Sequence, residues 1–305
     1  MNERVFEMER YYEDMFDDEL LSMMLMDRSS NHNIIWATDD YSSLGVGFQC
    51  WNQITLSAIT GENKFLIKPR TKKTKESQIA RSRQKAEVFT PSWICNKQNN
   101  LVDSAWFNSE CIFNTETGIT WIATPGVIDF STALGKSWKD YIWDIRLEIS
   151  CGEAPYLVSR YDTVSGEPIA VHQRIGLLDR KLRIVNENTN NEQEWLKWTA
   201  EAYKSTYGYD WQGDNVFLAR GNLLITFIEY YIDKFGVSPK KKYLYTIADI
   251  LSWNIWQMDG MKYTIPNCTC VENIESECNM HNTIRCTIKD WKTNTIVEFA
   301  SVLKR

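Results

Sequence analysis

The 305-residue sequence has no run of apolar residues long enough to cross a membrane, which takes about 20. Its first residues, MNERVFEMERYYEDMFDDEL, are acidic and lack the apolar core of a signal peptide. It also has no internal repeat and no low-complexity tract. These absences predict a soluble, cytoplasmic protein that does not bind a membrane. Its eight cysteines are irregularly placed, and in a reducing cytosol we expect thiols or metal ligands rather than disulfides.

The sequence also has no overall excess of positive charge. The formal net charge of −6 argues against a uniformly basic nucleic-acid-binding protein. The charge is uneven, however, because residues 3–27 are rich in Glu and Asp, whereas nine Lys or Arg and one Glu lie in residues 64–85. This basic run is either a solvated loop or an arm through which the chain contacts DNA phosphates, which are bound chiefly by Lys and Arg.

Apolar periodicity predicts a helix over residues 5–27, whose Met-rich face would dock into the protein's own core. Short strands or loops are expected over residues 34–54. A further helix is predicted to begin at Thr90 and Pro91, since Thr is a favourable N-cap and Pro fits the first helical position.

Strands and helices alternate in the second half of the sequence. DYIWDIRLEISCGEAPYL has the pattern of a strand, a tight turn and a helix, and a long insertion follows over residues 160–195. A short strand then ends at Asp210, and an amphipathic helix begins near Asp214, with Val216, Ala219, Leu223, Phe227 and Tyr230 on one face. A helix precedes the next strand, Trp253 to Met258. This alternation predicts a mostly parallel sheet covered by helices.

Three of these strand ends carry residues suited to binding a ligand, which in open α/β sheets lies outside the carboxyl ends of the strands. Gly152 follows the first strand and lets the backbone turn tightly. Asp210 ends the second strand and can accept both hydroxyls of a ribose, whereas Asp259 follows the third and can accept from an adenine amino group. A single acid at a strand end is most often a helix cap, but three strand ends in the same context indicate a nucleoside site.

Four segments also carry a family resemblance: AEVFTP, EISCGEAPYL, YGYDWQGDNVFLAR and LSWNIWQMDG. In order, they are similar to the Phe-x-Thr-Pro element, the acid-Pro-x-x-Gly-x-Gly loop, the Tyr-Gly-x-acid segment and the Asn-Ile-x-x-x-Asp strand of one family. From about residue 85 to its end, the chain thus resembles the adenine-N6 DNA methyltransferases of restriction-modification systems.

The resemblance implies an α/β fold with a Rossmann-like class I methyltransferase sheet that binds S-adenosylmethionine. It divides the chain into an N-terminal helical or mixed extension (1–63), a cofactor-binding domain (64–265) and a Cys-rich loop and hairpin (266–305). The cofactor-binding residues that it implies are Phe89, Thr90, Pro91, Glu148, Ser150, Gly152, Ala154, Asp210 and Asp259. The first three would contact the methionine part of the cofactor, Asp210 the ribose, and Asp259 the adenine.

The cofactor loop departs from the family at two positions, with Ile149 in place of Pro and Ala154 in place of the second Gly. In addition, 58 positions separate Gly152 from Asp210, whereas such units usually need about 20 to reach the second acid. Asp162 and Asp179 therefore compete with Asp210 for the ribose, although neither ends a convincing strand.

The catalytic motif of the family, an Asn, Asp or Ser followed by Pro-Pro and an aromatic residue, has no counterpart, because no two of the seven prolines are adjacent. TIRCTIKDWKTNTIVEFASVLKR resembles the hairpin that precedes that motif. We therefore assign no catalytic residue and expect a methyltransferase component that is inactive alone and depends on a protein partner for catalysis and target recognition. The alternative is a non-enzymatic interaction or anti-restriction protein that binds a restriction-modification complex or DNA.

Five soft ligands lie within 19 residues near the C-terminus: Cys268, Cys270, Cys278, His281 and Cys286. They are either ligands of a structural zinc ion, which accepts thiolate and imidazole tetrahedrally, or ordinary thiols in a polar loop. With zinc, a DNA-binding module that uses the basic run is a third functional hypothesis. His32 and His172 match no Ser or Cys pattern of a nucleophilic site and receive no role.

Overall fold

The computed structural model describes residues 16–64, 66–85, 87, 90–266 and 284–303. The helices, labelled in chain order, are α1 (Asp18–Leu25), α2 (Lys75–Lys85), α3 (Ser92–Phe107), α4 (Trp138–Trp143), α5 (Leu177–Asn188), α6 (Glu192–Lys204), α7 (Gly213–Phe235), α8 (Lys241–Asn254) and α9 (Phe299–Val302). The strands are β1 (Met26–Asp27), β2 (His32–Asn33), β3 (Asn114–Thr117), β4 (Thr120–Ala123), β5 (Arg146–Ile149), β6 (Thr206–Asp210), β7 (Ile255–Gln257), β8 (Thr287–Asp290) and β9 (Thr295–Glu298).

Strands β5, β6 and β7 form a parallel three-stranded sheet in that order, with Glu148 opposite Gly208 and Gly208 opposite Ile255. The other strand pairs in the described part of the chain are antiparallel: β1 with β2, β3 with β4, and β8 with β9. Helices α5 and α6 connect β5 to β6, and α7 and α8 connect β6 to β7. The chain is therefore a mixed α/β protein in which helices link parallel strands, as the alternating pattern predicts.

The region 160–195, which the sequence analysis treats as an insertion, is part of the connection between β5 and β6. It contains α5 and the start of α6, which together form the connection that two neighbouring parallel strands require. The 58 positions between Gly152 and Asp210 are thus occupied by a two-helix connection instead of one helix.

The two faces of the sheet are covered by different parts of the chain. One face packs on the main core, to which α7 contributes the predicted stripe of buried residues: Val216, Ala219, Leu223, Phe227 and Tyr230. On the other face, Tyr207, Tyr209 and Trp256 pack with Cys286 and Phe299 from the C-terminal hairpin and α9. The predicted hairpin is confirmed as the antiparallel pair β8–β9.

The N-terminal segment joins the same core. Only residues 18–25 of the predicted 5–27 helix are helical in the described part, and Leu20 and Met24 are buried there, as expected of a docking face. Farther along, the Gln257 side chain accepts from the Ile35 N–H and donates to the Ile35 carbonyl, each at 2.9 Å. This pair of bonds fixes the N-terminal segment to the end of β7.

Helix α3 begins at Ser92, so the prediction of Thr90 as its N-cap and Pro91 as its first helical residue is wrong by one position. No side chain at the preceding position caps this helix. Instead, the Ser92 N–H donates to the Asp162 carboxylate at 2.7 Å. The cap comes from 70 positions away in the chain, and local sequence therefore misplaces the start of the helix.

Two other element boundaries differ from the prediction. No helix follows Gly152 directly, because Gly152 and Ala154 have φ values of 52° and 65°, which a right-handed helix does not allow, and the next α-helix begins at Leu177. Strand β7 starts at Ile255 rather than Trp253, since α8 continues to Asn254. Among the described helices, none has the length and apolar character that crossing a membrane requires.

Candidate functional site

The structure brings the three predicted strand ends to one edge of the sheet. Gly152 follows β5, Asp210 ends β6 and Asp259 lies two residues after β7. The Gly152 N–H donates to the Asp210 carboxylate at 2.9 Å, and the Met258 N–H donates to the Asp210 carbonyl at 2.9 Å. Asp210 is thus bonded to the residues that follow both neighbouring strands.

The carboxylate of Asp210 is buried at the centre of this edge. Besides Gly152, it accepts from the Gln212 N–H at 2.9 Å and from the Asn215 side-chain amide at 3.3 Å. Burial raises the pKa of Asp210 to about 6, although these hydrogen bonds act in the opposite direction. A carboxylate has about four acceptor positions, so one remains for a further donor.

Glu148 on β5 is a second buried carboxyl group. One of its oxygens accepts from the Tyr156 N–H at 3.3 Å, and the other, Oε2, has no hydrogen-bond partner among the described residues. Burial raises the pKa of Glu148 well above its ordinary value, and the charge of Asp210 adds to that effect. The site therefore contains a carboxyl group with one oxygen that has no partner among the described residues, and burial holds this group toward its neutral form.

The loop after β5 has the backbone of a glycine loop. Ala154 is fully buried and left-handed at φ 65°, the conformation that favours glycine. Gly152 is also left-handed, and a Cβ added to it would meet no atom within 4 Å. Packing thus leaves the space beside Gly152 open. Ser150, at the tip of the same turn, is exposed.

The basic run packs against this edge of the sheet through two anchors. At the first, the buried Glu153 accepts from the Arg70 N–H and from the Tyr161 hydroxyl, each at 2.6 Å. The second is Asp214 at the start of α7, which pairs with Arg81 at 2.8 Å and with Lys73 at 3.4 Å. The run therefore spans the loops after β5 and β6.

The interpretations of the run as a solvated loop or a DNA-contacting arm are wrong for Lys73 and Arg81. Both side chains are buried, and Arg81 also pairs with Asp40 at 2.6 Å and with Glu87. Burial alone would raise the pKa of Asp214, but the charges of Lys73 and Arg81 lower it to about 2. No local signal distinguishes Arg81 from the exposed Arg83, so the sequence could not identify this cluster.

Asp259 is buried and caps its own turn, where its carboxylate accepts from the N–H groups of Met261 at 2.9 Å and Lys262 at 3.2 Å. The two competing acids are not at strand ends, as expected. Asp162 caps α3, and Asp179 accepts from the N–H groups of Ser159 and Gly176 at 2.7 and 3.1 Å. Asp210 is therefore the acid that ends the second strand.

The remaining predicted residues lie in two other regions. Phe89 is outside the described residues. Thr90 precedes α3 with Pro91, and its carbonyl accepts from the Thr163 hydroxyl at 2.9 Å. Of the predicted zinc ligands, Cys268, Cys270, Cys278 and His281 are also outside the described residues. Cys286 is a buried thiol whose sulfur lies 3.4 Å from the Gln257 carbonyl.

Searched over the described residues alone, the structure contains no group of three or more His, Cys, Asp or Glu side chains that could hold a metal ion. Comparison with known proteins gives no match to the chain: no family model, no curated protein and no solved structure.

Proposed function

We propose that the chain is the S-adenosylmethionine-binding component of a DNA adenine-N6 methyltransferase of a restriction-modification system, built on a Rossmann-like class I sheet. One observation carries the proposal. A buried acid at the end of β6 is bonded to a loop that follows β5 and has glycine-like backbone at Gly152 and Ala154. This pairing of an acid with a tight loop at the carboxyl edge is the arrangement in which α/β sheets bind nucleosides.

The residues at this edge fit such a cofactor. The space beside Gly152 admits the ligand, Asp210 retains an acceptor position for a ribose hydroxyl, and Glu148 Oε2 lacks a partner that a ligand ammonium would supply. Asp259 would accept from the adenine amino group. Its carboxylate, which caps its own turn, would then serve both the turn and the adenine. The cofactor supplies an electrophilic methyl group on its sulfonium.

The groups that orient the target base are assigned to a protein partner, since the sequence has no Pro-Pro pair. Among the described residues, no strand pairs with the outer edge of β5, and this edge supports a partner. The Arg146 N–H donates to Ser205 next to β6, so the backbone groups of Leu147 and Ile149 face away from the sheet. The side chain of Ile149 is 64% exposed. Such an edge accepts a further strand.

The experiment is calorimetric titration of S-adenosylmethionine into the purified chain and into two matched variants, Gly152→Ala and Gly126→Ala. Both glycines are left-handed, and an added Cβ meets no atom at either, so both variants carry the same strain of about 1–2 kcal/mol. Only Gly152→Ala places a methyl group in the proposed cofactor space. We expect micromolar binding to the wild type and to Gly126→Ala, and a loss of at least tenfold in Gly152→Ala.

Equal affinity of the two glycine variants for S-adenosylmethionine would mean that the cofactor does not bind at this loop. Asp210→Ala is a second test in the same titration, with Asp233→Ala as its control, because Asp233 is an exposed acid near the end of α7. Melting temperatures of all four variants distinguish a lost site from a lost fold.

The second candidate function is a non-enzymatic protein that binds a restriction-modification complex or DNA. It is favoured by the number of bonds that the candidate site makes to the protein itself: Asp210 accepts three, and Asp214 is paired with Lys73 and Arg81. No heat at millimolar S-adenosylmethionine from a folded wild-type chain would favour this function over the first.

A further inference from the structure

A cleft of about 540 Å³ lies in the N-terminal segment, apart from the residues at the edge of the sheet. Its wall includes Phe48, Trp51, Asn52, Gln53, Ser57 and Asn63. Among the described residues that line it, none is charged. A cleft that contains amides, hydroxyls and aromatic rings suits a neutral ligand with a flat face and hydrogen-bonding edges.

Of the two aromatic rings in the cleft wall, one packs on a buried residue and the other is exposed. Phe48 lies against the fully buried Trp36, with ring centroids 5.6 Å apart. Trp51, in contrast, is 66% exposed. A large apolar ring exposed to this extent in a concave wall indicates a binding surface rather than a core position.

Three amide side chains in the wall are each oriented by one hydrogen bond. Asn52 Oδ1 accepts from the Gln49 N–H at 3.0 Å, and Gln53 Oε1 accepts from the Asn33 N–H at 3.1 Å. Their amide nitrogens are therefore left as donors, and neither has a partner among the described residues.

Asn63 is held in the opposite sense, because its Nδ2 donates to the Ser57 carbonyl at 3.0 Å and leaves Oδ1 as an acceptor. The wall thus offers two oriented donors and one oriented acceptor beside an indole face. Nucleobases have complementary edges with acceptors and amino donors, and their faces stack on aromatic rings.

Charge near the cleft favours a base that is part of a nucleic acid. Lys68, five residues after Asn63 and in the basic run, is exposed. Positive side chains next to a neutral aromatic cleft are the combination with which proteins bind single strands, since the charges attract the phosphates and the ring stacks on the base.

We propose that the cleft of Trp51, Asn52, Gln53 and Asn63 binds an unpaired base of a single-stranded nucleic acid. This inference goes beyond the cofactor site and does not rest on it, because the two share no residue. The cleft nevertheless lies one segment away from the edge of the sheet. Gln53 pairs with Ile35, and Ile35 is bonded to Gln257 at the end of β7.

The test is fluorescence anisotropy with a labelled twelve-nucleotide single-stranded DNA and with the same backbone made of abasic residues. Trp51→Ala removes the stacking face, and its control is Trp143→Ala, an exposed Trp on α4 outside the cleft. Asn52→Asp keeps the acceptor for Gln49 but replaces the free donor with a negative oxygen. We expect Trp51→Ala to weaken binding about tenfold or more, Asn52→Asp to weaken it severalfold, and Trp143→Ala to leave it unchanged.

The abasic strand should bind the wild type as weakly as the normal strand binds Trp51→Ala. Equal binding of the two strands, equal binding by Trp51→Ala and wild type, or no saturable binding up to millimolar strand would overturn the proposal. A neutral oligosaccharide such as maltoheptaose provides one further outcome. Trp51-dependent binding of the sugar without binding of the strand would show that the cleft binds carbohydrate and would overturn the proposal that it binds a nucleobase.

Discussion

Ala154 has a backbone conformation that its side chain disfavours. A left-handed alanine costs about 1–2 kcal/mol relative to the right-handed region, yet Ala154 is fully buried in that conformation. The loop therefore keeps a backbone suited to glycine at a position where the sequence has a methyl group. The sequence alone gives no sign of this conformation, because alanine does not favour it.

Ala154→Gly should change the free energy of unfolding by less than about 1 kcal/mol. Relief of the strain offsets the loss of one buried methyl group, about 0.8 kcal/mol, and the greater freedom of the unfolded chain, about 0.4–1 kcal/mol. Ala219→Gly in α7 is the control, since Ala219 is equally buried but helical, and it should lose about 2 kcal/mol. Urea denaturation measures the free energy of unfolding of both variants. An equal loss in the two would contradict the claim that Ala154 is strained.

Asp210 should make stability depend on pH above pH 4. Its pKa is about 6 in the folded chain against an ordinary 3.8, so ionisation is disfavoured by folding. The contribution of protonated Asp210 to the free energy of unfolding is fully present below the ordinary pKa of 3.8 and is lost as pH rises through 6. Relative to Asp210→Asn, the wild type should therefore lose roughly 2 kcal/mol between pH 4 and pH 7.

The relevant measurement is the slope of the free energy of unfolding against pH, compared between wild type and Asp210→Asn. Denaturant unfolding at each pH gives these free energies. Asp214, with its lowered pKa of about 2, contributes with the opposite sign and only as pH falls below 4, so it does not disturb this range. Parallel stability curves for wild type and Asp210→Asn between pH 4 and 7 would rule out a raised pKa at this position.

At the scale of elements, the basic run is attached to the sheet through buried ion pairs instead of being a mobile arm. Arg81→Ala would leave Asp214 with Lys73 as its remaining cationic partner in the described structure and should cost about 3–5 kcal/mol. Arg83→Ala, two positions away and exposed, should change stability by less than about 0.5 kcal/mol. Denaturant unfolding compares the two.

Hydrogen exchange adds a local readout for the same pair of variants. We expect the amides of residues 70–85 to exchange faster in Arg81→Ala and at the wild-type rate in Arg83→Ala. Similar stability and exchange in both variants would mean that the ion pairs do not hold the segment.

The sequence predicted the elements whose pattern is local and missed those that depend on distant partners. Strand β6 and the stripe on α7 were recognisable because a short segment with two β-favouring tyrosines and a 3.6-residue repeat are visible without any partner. Helix α5 was not recognised, because Asp179, Arg180 and Lys181 are all buried in it and make its apolar face look polar. The start of α3 was misplaced because its cap is Asp162, far along the chain.

In the candidate site, too, local features could be predicted from the sequence and long-range contacts could not. Asp210, Gly152 and Asp259 could be assigned to one edge because parallel strands place their carboxyl ends together. Their bonds could not be predicted, and neither could the packing of the basic run, since Lys73 and Arg81 find Asp214 only in the folded chain, 141 and 133 positions away.

For the whole molecule, the N-terminal segment and the sheet form a continuous structure. Gly213 at the start of α7 approaches the Ile35 carbonyl so closely that an added Cβ would lie 2.0 Å from its oxygen, and the Gly213 N–H donates to Trp36 at 3.1 Å. In the same segment, Ile35 pairs with Gln53, which lies in the wall of the cleft. The proposed cofactor site and the proposed base-binding cleft are therefore held in a fixed relation by residues 33–37.

The most direct measurement is a crystal structure of the chain grown with saturating S-adenosylmethionine. The cofactor account predicts electron density at the carboxyl edge of the sheet, with a ribose hydroxyl about 2.6–3.2 Å from the Asp210 carboxylate and the ligand against the backbone of Gly152. Density for the ligand elsewhere on the protein, or an edge without ligand at saturating concentration, would contradict it.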